Sequence, residues 1–190
     1  MKFTLFTLRK LVEHLTVFLN KGRGGSIDES KMIPINRTIP FDPVTFIGKG
    51  SSIVWQDERS LRLSKVDPTK IAFQTTLRSG ENSIQGEENL KRLIASGAVL
   101  LDAKVFQTLW EDKTLIPKSY KQLNNGKITF IFFPGTILQN SNGYRLVLHL
   151  YWEGGEWNWG YSWLGFGWDT SGLSAVLKRW RLGLFHLGFE

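Results

Sequence analysis

The chain has 190 residues, a formal net charge of +7 and no cysteine. The length fits one domain with extensions, and 42% hydrophobic residues suffice for a core without metals or staples. The lack of cysteine excludes disulfides, thiolate metal sites and a cysteine nucleophile.

The basic balance suits a polyanionic partner such as nucleic acid, or an acidic membrane surface. It is uneven. Residues 1–25 hold Lys2, Arg9, Lys10, Lys21 and Arg23 against Glu13, and the tail adds Lys178, Arg179 and Arg181 against Glu190. No run reaches the ~20 apolar residues that span a bilayer. The opening hydrophobic stretch is broken by Arg9, Lys10, Glu13 and His14, unlike a secretory leader, so a cytoplasmic location is expected.

In chain order, Leu8, Leu11, Val12, Leu15, Phe18 and Leu19 predict an amphipathic helix over residues 4–20, stopped by the glycines after Lys21. That helix could dock on the body or a second subunit, or lie on a membrane surface. The expected organisation is a helical extension over 1–25, a linker over 26–43 marked by Pro34, Pro40 and Pro43, an α+β domain over 44–177 and a basic-apolar tail over 178–190. Ile53-Val54-Trp55 and Ile71-Ala72-Phe73 read as strands. Glu87 and Glu88 suit the first turn of a helix with Leu90, Leu93 and Ile94 as its stripe, ended by Ser96-Gly97. Asp102 is placed to cap a second helix whose inner face is Phe106, Leu109 and Trp110.

The last third reads as strands at 127–134, 136–139, 144–152 and 157–164. Asn142-Gly143 and Gly154-Gly155 are two-residue turn signals, because a type I′ turn needs positive φ. They predict that Trp152, Leu150, Leu148 and Leu146 face Trp157, Trp159, Tyr161 and Trp163. They also place Leu146 opposite Gln139 and Leu148 opposite Ile137, all on one apolar face. The other face is expected to bring Thr136, His149 and Gly160 into one row, with Tyr151 and Asn158 in the next. This makes a mixed surface that is either solvent-facing or the floor of a groove. The fold class expected is therefore α+β: a Trp-rich antiparallel meander covered on one face by helices from 86–112, with the N-terminal helix appended.

The segments FDPVTFIGKG, GEENLKRL, LDAKVFQTLW, ITFIFFPGTIL, GYRLVLHLYW and SAVL together resemble a family of hypothetical proteins from uncultured candidate-phylum bacteria. The likeness covers about residues 33–177. The chain departs from the family pattern at Pro134, where the pattern has aspartate, and at Tyr120, where it has tryptophan. The family is uncharacterised, so the resemblance implies one evolutionary unit and brings no activity, cofactor or site residue.

Few residues offer chemistry. His14, His149 and His186 have no metal-ligand spacing, and no metal or cofactor is expected. His149, with Thr136 and Ser162 near it, could assist a hydroxyl nucleophile, or be a strand histidine bonded to a neighbour. Gly48-Lys49-Gly50-Ser51-Ser52 lacks the order of a phosphate loop and reads as a turn. Glu153 and Glu156 sit at a hairpin tip, and Asp169 beside Trp168 is the carboxylate most open to desolvation. Most of the eight tryptophans are expected in the core, while Trp168 and Trp180 fall outside the meander. Aromatic rings left open could stack bases or sugars.

These features point to a non-enzymatic binding module for nucleic acid or a protein partner. Its candidate contacts are Thr136, His149, Tyr151, Asn158, Trp168, Trp180, Lys178, Arg179 and Arg181, with a homodimer through the terminal segments as a further partner. A small hydrolase using the His149 face and a membrane-surface protein using the N-terminal helix are the alternatives.

Overall fold

The structure is a computed structural model that describes residues 31–121, 123–124 and 126–177. The expected 4–20 helix and the tail residues Lys178, Arg179, Trp180 and Arg181 lie outside the described residues. The first half comprises β1 (Ile33–Pro34), α1 (Pro43–Ile47), β2 (Ser52–Gln56), α2 (Glu58–Leu61), β3 (Lys65–Val66), β4 (Ile71–Gln74) and β5 (Ser83–Gln85). Then come α3 (Gly86–Ala95), β6 (Val99–Leu100), α4 (Ala103–Glu111), β7 (Leu123–Asn124) and β8 (Lys127–Ile128). The chain continues through β9 (Phe130–Phe132), β10 (Thr136–Gln139), β11 (Arg145–Glu153), β12 (Glu156–Trp163), β13 (Gly167–Asp169) and β14 (Gly172–Leu177). This is the α+β class expected, with mostly antiparallel strands, but the expected meander holds only for β10, β11 and β12, since β9 pairs with β11 and, in parallel, with β14.

The segment expected as a linker is part of the fold from Ile33 onward. Ile33, Ile35 and Phe41 are buried, and β1 pairs with β3. Arg37 explains why polar residues here do not make a tether. Its guanidinium donates to Asp102 Oδ2 at 2.7 Å and to the carbonyls of Ser60 and Leu63 at 2.9 Å. Asp102 itself caps α4, its Oδ1 accepting from the N–H groups of Lys104 and Val105.

The main sheet runs β2-β10-β11-β9-β14-β4, with β12 on β11 and β6 on β14. β11 is its axis. One edge pairs with β12 along its length, and the other pairs first with β10 and then with β9. Between β9 and β10 the chain jogs at Phe133-Pro134-Gly135. There the Gly135 N–H donates to Leu101 O at 2.8 Å and its carbonyl accepts from Asp57 N–H at 2.9 Å. A proline suits such a break, because it cannot supply a ladder donor.

The Gly154-Gly155 hairpin matches expectation. Both glycines have positive φ, 62° and 86°, and Trp152, Leu150, Leu148 and Leu146 pair with Trp157, Trp159, Tyr161 and Trp163. The Asn142-Gly143 hairpin does not. Gly143, at φ 82°, donates to Asn140 O, and Asn140 Oδ1 accepts from the N–H groups of Asn142 and Tyr144. This is a turn with a three-residue loop closed by a left-handed glycine. The side-chain acceptor of Asn140 favours it over the two-residue alternative.

The extra residue shifts the register by one, so Leu146 faces Leu138 and Arg145 faces Gln139. A one-residue slip reverses sides. Leu138 therefore joins Leu146 and Leu148 in one core cluster, and Ile137 joins Val147 in the other. Thr136 leaves the expected row with His149. Its Oγ1 accepts the Ala103 N–H at the start of α4, while His149 pairs with Phe132.

The helices also divide. α4 packs Val105, Phe106 and Leu109 on the Leu146, Leu148 and Leu150 side. α3 packs Leu90 and Leu93 with Val147, Phe132 and Trp168 on the opposite side. The expectation of one helix-covered face is thereby corrected. Alternate residues of β11 point to opposite faces, and both sets are apolar enough to need cover.

Candidate functional site

On the α4 side, β12 presents four aromatic residues in a row, and their cover runs out along the strand. Trp157 is buried. Trp159 meets Phe46, Phe106 and Trp110 edge-on, with ring centroids 5.2–6.3 Å apart. Beyond it Tyr161 is 46% exposed. Trp163 stacks with Tyr144 at 4.9 Å and with Phe166 at 5.0 Å, and these two rings are 52% and 59% exposed. Two local features place them. The longer loop after β10 sets Tyr144 beside Trp163, and glycines flank Phe166 in the turn between β12 and β13.

These rings line a cavity of about 440 Å³ with Glu87, Arg145, Gly143 and Gly165. Arg145 Nη1 donates to both oxygens of Glu87 at 2.7 Å. Glu87 stands in the first turn of α3, where the helix dipole favours its charge. Two further cavities follow along β12 and β13. One, about 280 Å³, is lined by Tyr161, Ser162, Trp163, Phe166, Gly167 and Trp168. The other, about 310 Å³, includes Phe130, Phe132, Ser162, Gly167, Trp168, Asp169 and Ser171.

The expected sheet-face site is not assembled. His149 is 6% exposed, enclosed by Phe130 and Phe132 edge-on at 5.1 and 5.2 Å, with Gly160 leaving room for the ring. Burial pulls its pKa down to about 4, so it is neutral. Ser162 Oγ lies 3.5 Å from Nδ1, the outer limit of a hydrogen bond, and Thr136 is elsewhere. The mixed surface expected there is instead a second core, in which Val147 is fully buried.

Tyr151 is half-buried against Phe130, and Asn158 Nδ2 donates to the carbonyls of Glu153 and Glu156 at the hairpin tip. Trp168 lies on β13, buried, stacked on Phe132 at 4.2 Å, with Nε1 donating to Trp163 O.

Asp169 reverses the desolvation expectation. Ser171 donates to it from both hydroxyl and N–H, and Lys127 Nζ lies 3.1 Å away, which brings its pKa down to about 2. Glu153 and Glu156 are exposed at their tip, as a hairpin turn dictates. The Gly48–Gly50 stretch is the turn between α1 and β2, with φ of 101° and 84° at its glycines. Among the described residues no cluster of three or more acidic or histidine side chains could hold a metal. No described helix is long and apolar enough to cross a membrane.

Phe166 escapes a reading based on strands because it sits in a turn, and Tyr144, expected as the first residue of the strand 144–152, lies instead at the end of the loop just before β11. The signal that could have found them is their neighbours. An aromatic residue beside glycine in a turn or loop has little chain around it to cover it. No protein family, curated protein or solved structure matches this chain.

Proposed function

We propose that the chain is a non-enzymatic binding module whose ligand surface is the open aromatic end of the sheet around Trp163. One observation carries this reading: Tyr144 and Phe166 stay more than half exposed while stacking on Trp163 at the mouth of the 440 Å³ cavity. Aromatic area left in water forgoes the burial that stabilises a fold, and such patches mark contact surfaces. The hydrolase alternative would need His149 to reach a substrate, against its burial among phenylalanines.

The nucleic-acid partner expected from charge draws less support from the folded unit than from the whole chain. Residues 31–177 carry 16 basic against 13 acidic side chains, a balance of +3 compared with +7 for the chain. The membrane-surface and homodimer readings rest on the N-terminal helix and the tail, outside the described residues.

The test uses the full chain and two kinds of probe, followed by tryptophan emission. One is a single-stranded oligonucleotide about 12 nucleotides long. The other is a panel of neutral linear hexasaccharides. One kind should shift emission saturably. Tyr144→Ala combined with Phe166→Ala, both at exposed positions, should weaken that binding roughly tenfold or more. If the double variant and the parent behave alike toward both kinds, the proposal is wrong.

A further inference from the structure

We infer that the ligand of this surface is a neutral linear glycan, held along a track that passes from Arg145 to Asp169. The inference rests on the binding-module reading. Its first support is continuity. The 440 and 280 Å³ cavities share Trp163 and Phe166 as walls. The 280 and 310 Å³ cavities share Ser162, Gly167 and Trp168. Three adjoining hollows with common walls suit an extended chain of repeating units better than a single compact molecule. β12 pairs only with β11, so no described strand lies along its other edge.

The second support is charge. At one end Arg145 is paired with Glu87 at 2.7 Å, and at the other Asp169 is paired with Lys127 at 3.1 Å. Each end presents one anion and one cation. A phosphate chain would meet a carboxylate at both ends, each already paired with the cation beside it, which offsets the electrostatic attraction that drives nucleic-acid binding. A sugar hydroxyl both donates and accepts, so it can bond to the carboxylate and the cation of either pair. The wall chemistry agrees. The C–H faces of a pyranose carry partial positive charge, and the faces of the exposed rings of Tyr144 and Phe166 are negative.

Gly167 supplies the decisive variant. It is exposed, it lines both the 280 and 310 Å³ cavities, and a Cβ there would come no closer than 3.8 Å to Ser83. Gly167→Tyr therefore adds a ring at a position that walls both cavities, with no close contact at its Cβ.

Calorimetry would compare cello-, xylo-, manno- and maltohexaose with their disaccharides. At least one hexasaccharide should bind about tenfold or more tighter than its disaccharide, with little dependence on salt. Gly167→Tyr should bring the hexasaccharide affinity down to the disaccharide level, and Phe166→Ala should weaken both. Hexasaccharide binding that ignores Gly167→Tyr would overturn the track. Oligonucleotide binding at Tyr144 and Phe166 with no response to any glycan would overturn the glycan and leave the module standing. If no probe of either kind binds, both readings fall.

Discussion

His149 is neutral because its ring lies where water cannot solvate a charge, and that has a thermodynamic cost in acid. Its pKa falls from 6.5 to about 4 on folding. Between those values the unfolded chain binds a proton that the folded chain refuses, so stability is full above 6.5 and declines as pH falls toward 4. The loss approaches roughly 3 kcal/mol at the lower end. Asp169 and Glu81, each brought down to about 2 by donors on Ser171 and Arg92, shed their contributions only at lower pH. The upper part of the window therefore belongs to His149. Urea midpoints measured across it should drop with pH in the parent and stay nearly level in His149→Leu. A parent whose midpoint does not move there would show the ring to be solvated. The sequence placed His149 on a strand of the meander but could not supply its neighbours, because those depend on which strands flank β11.

At the scale of elements, the jog between β9 and β10 has one narrow requirement. A Cβ on Gly135 would sit 2.1 Å from Leu100 O and 2.7 Å from the Leu101 carbonyl carbon. These are backbone atoms of the β6 segment, held by pairing with β14. They have little freedom to retreat, so Gly135→Ala should cost more than ~3 kcal/mol and lower Tm by roughly 10 °C. A thermal melt coincident with the parent would mean that this crossing is slack. Elements of this kind set the limits of sequence reading. α3, α4, β2, β4 and the Gly154-Gly155 hairpin follow from periodicity, caps and turn chemistry within their own residues. The three-residue loop at Asn140–Tyr144 turned on one side-chain acceptor, and that single residue moved Thr136 and Ile137 to opposite sides from those expected. The open aromatic end was hidden for the same reason, since its rings come from a loop, a turn and one strand that only the register brings together.

For the whole folded unit from Ile33 onward, the two apolar clusters are inseparable. Val147 belongs to one and Leu146 and Leu148 to the other, so neither can dissolve without releasing the backbone of β11. Native-state hydrogen exchange should find the amides of Leu93 in α3 and Phe106 in α4 opening with the same free energy and the same urea slope. Markedly different slopes would divide the unit into separate cooperative blocks. The five consecutive side chains from Leu146 to Leu150 are all buried, with none alternating outward. Descendants of this chain could therefore drift at Tyr161 or Phe166 with little harm to folding. Across Leu146–Leu150 each replacement must conserve volume or be matched by a change in a facing helix, so this short stretch should be the slowest to diverge.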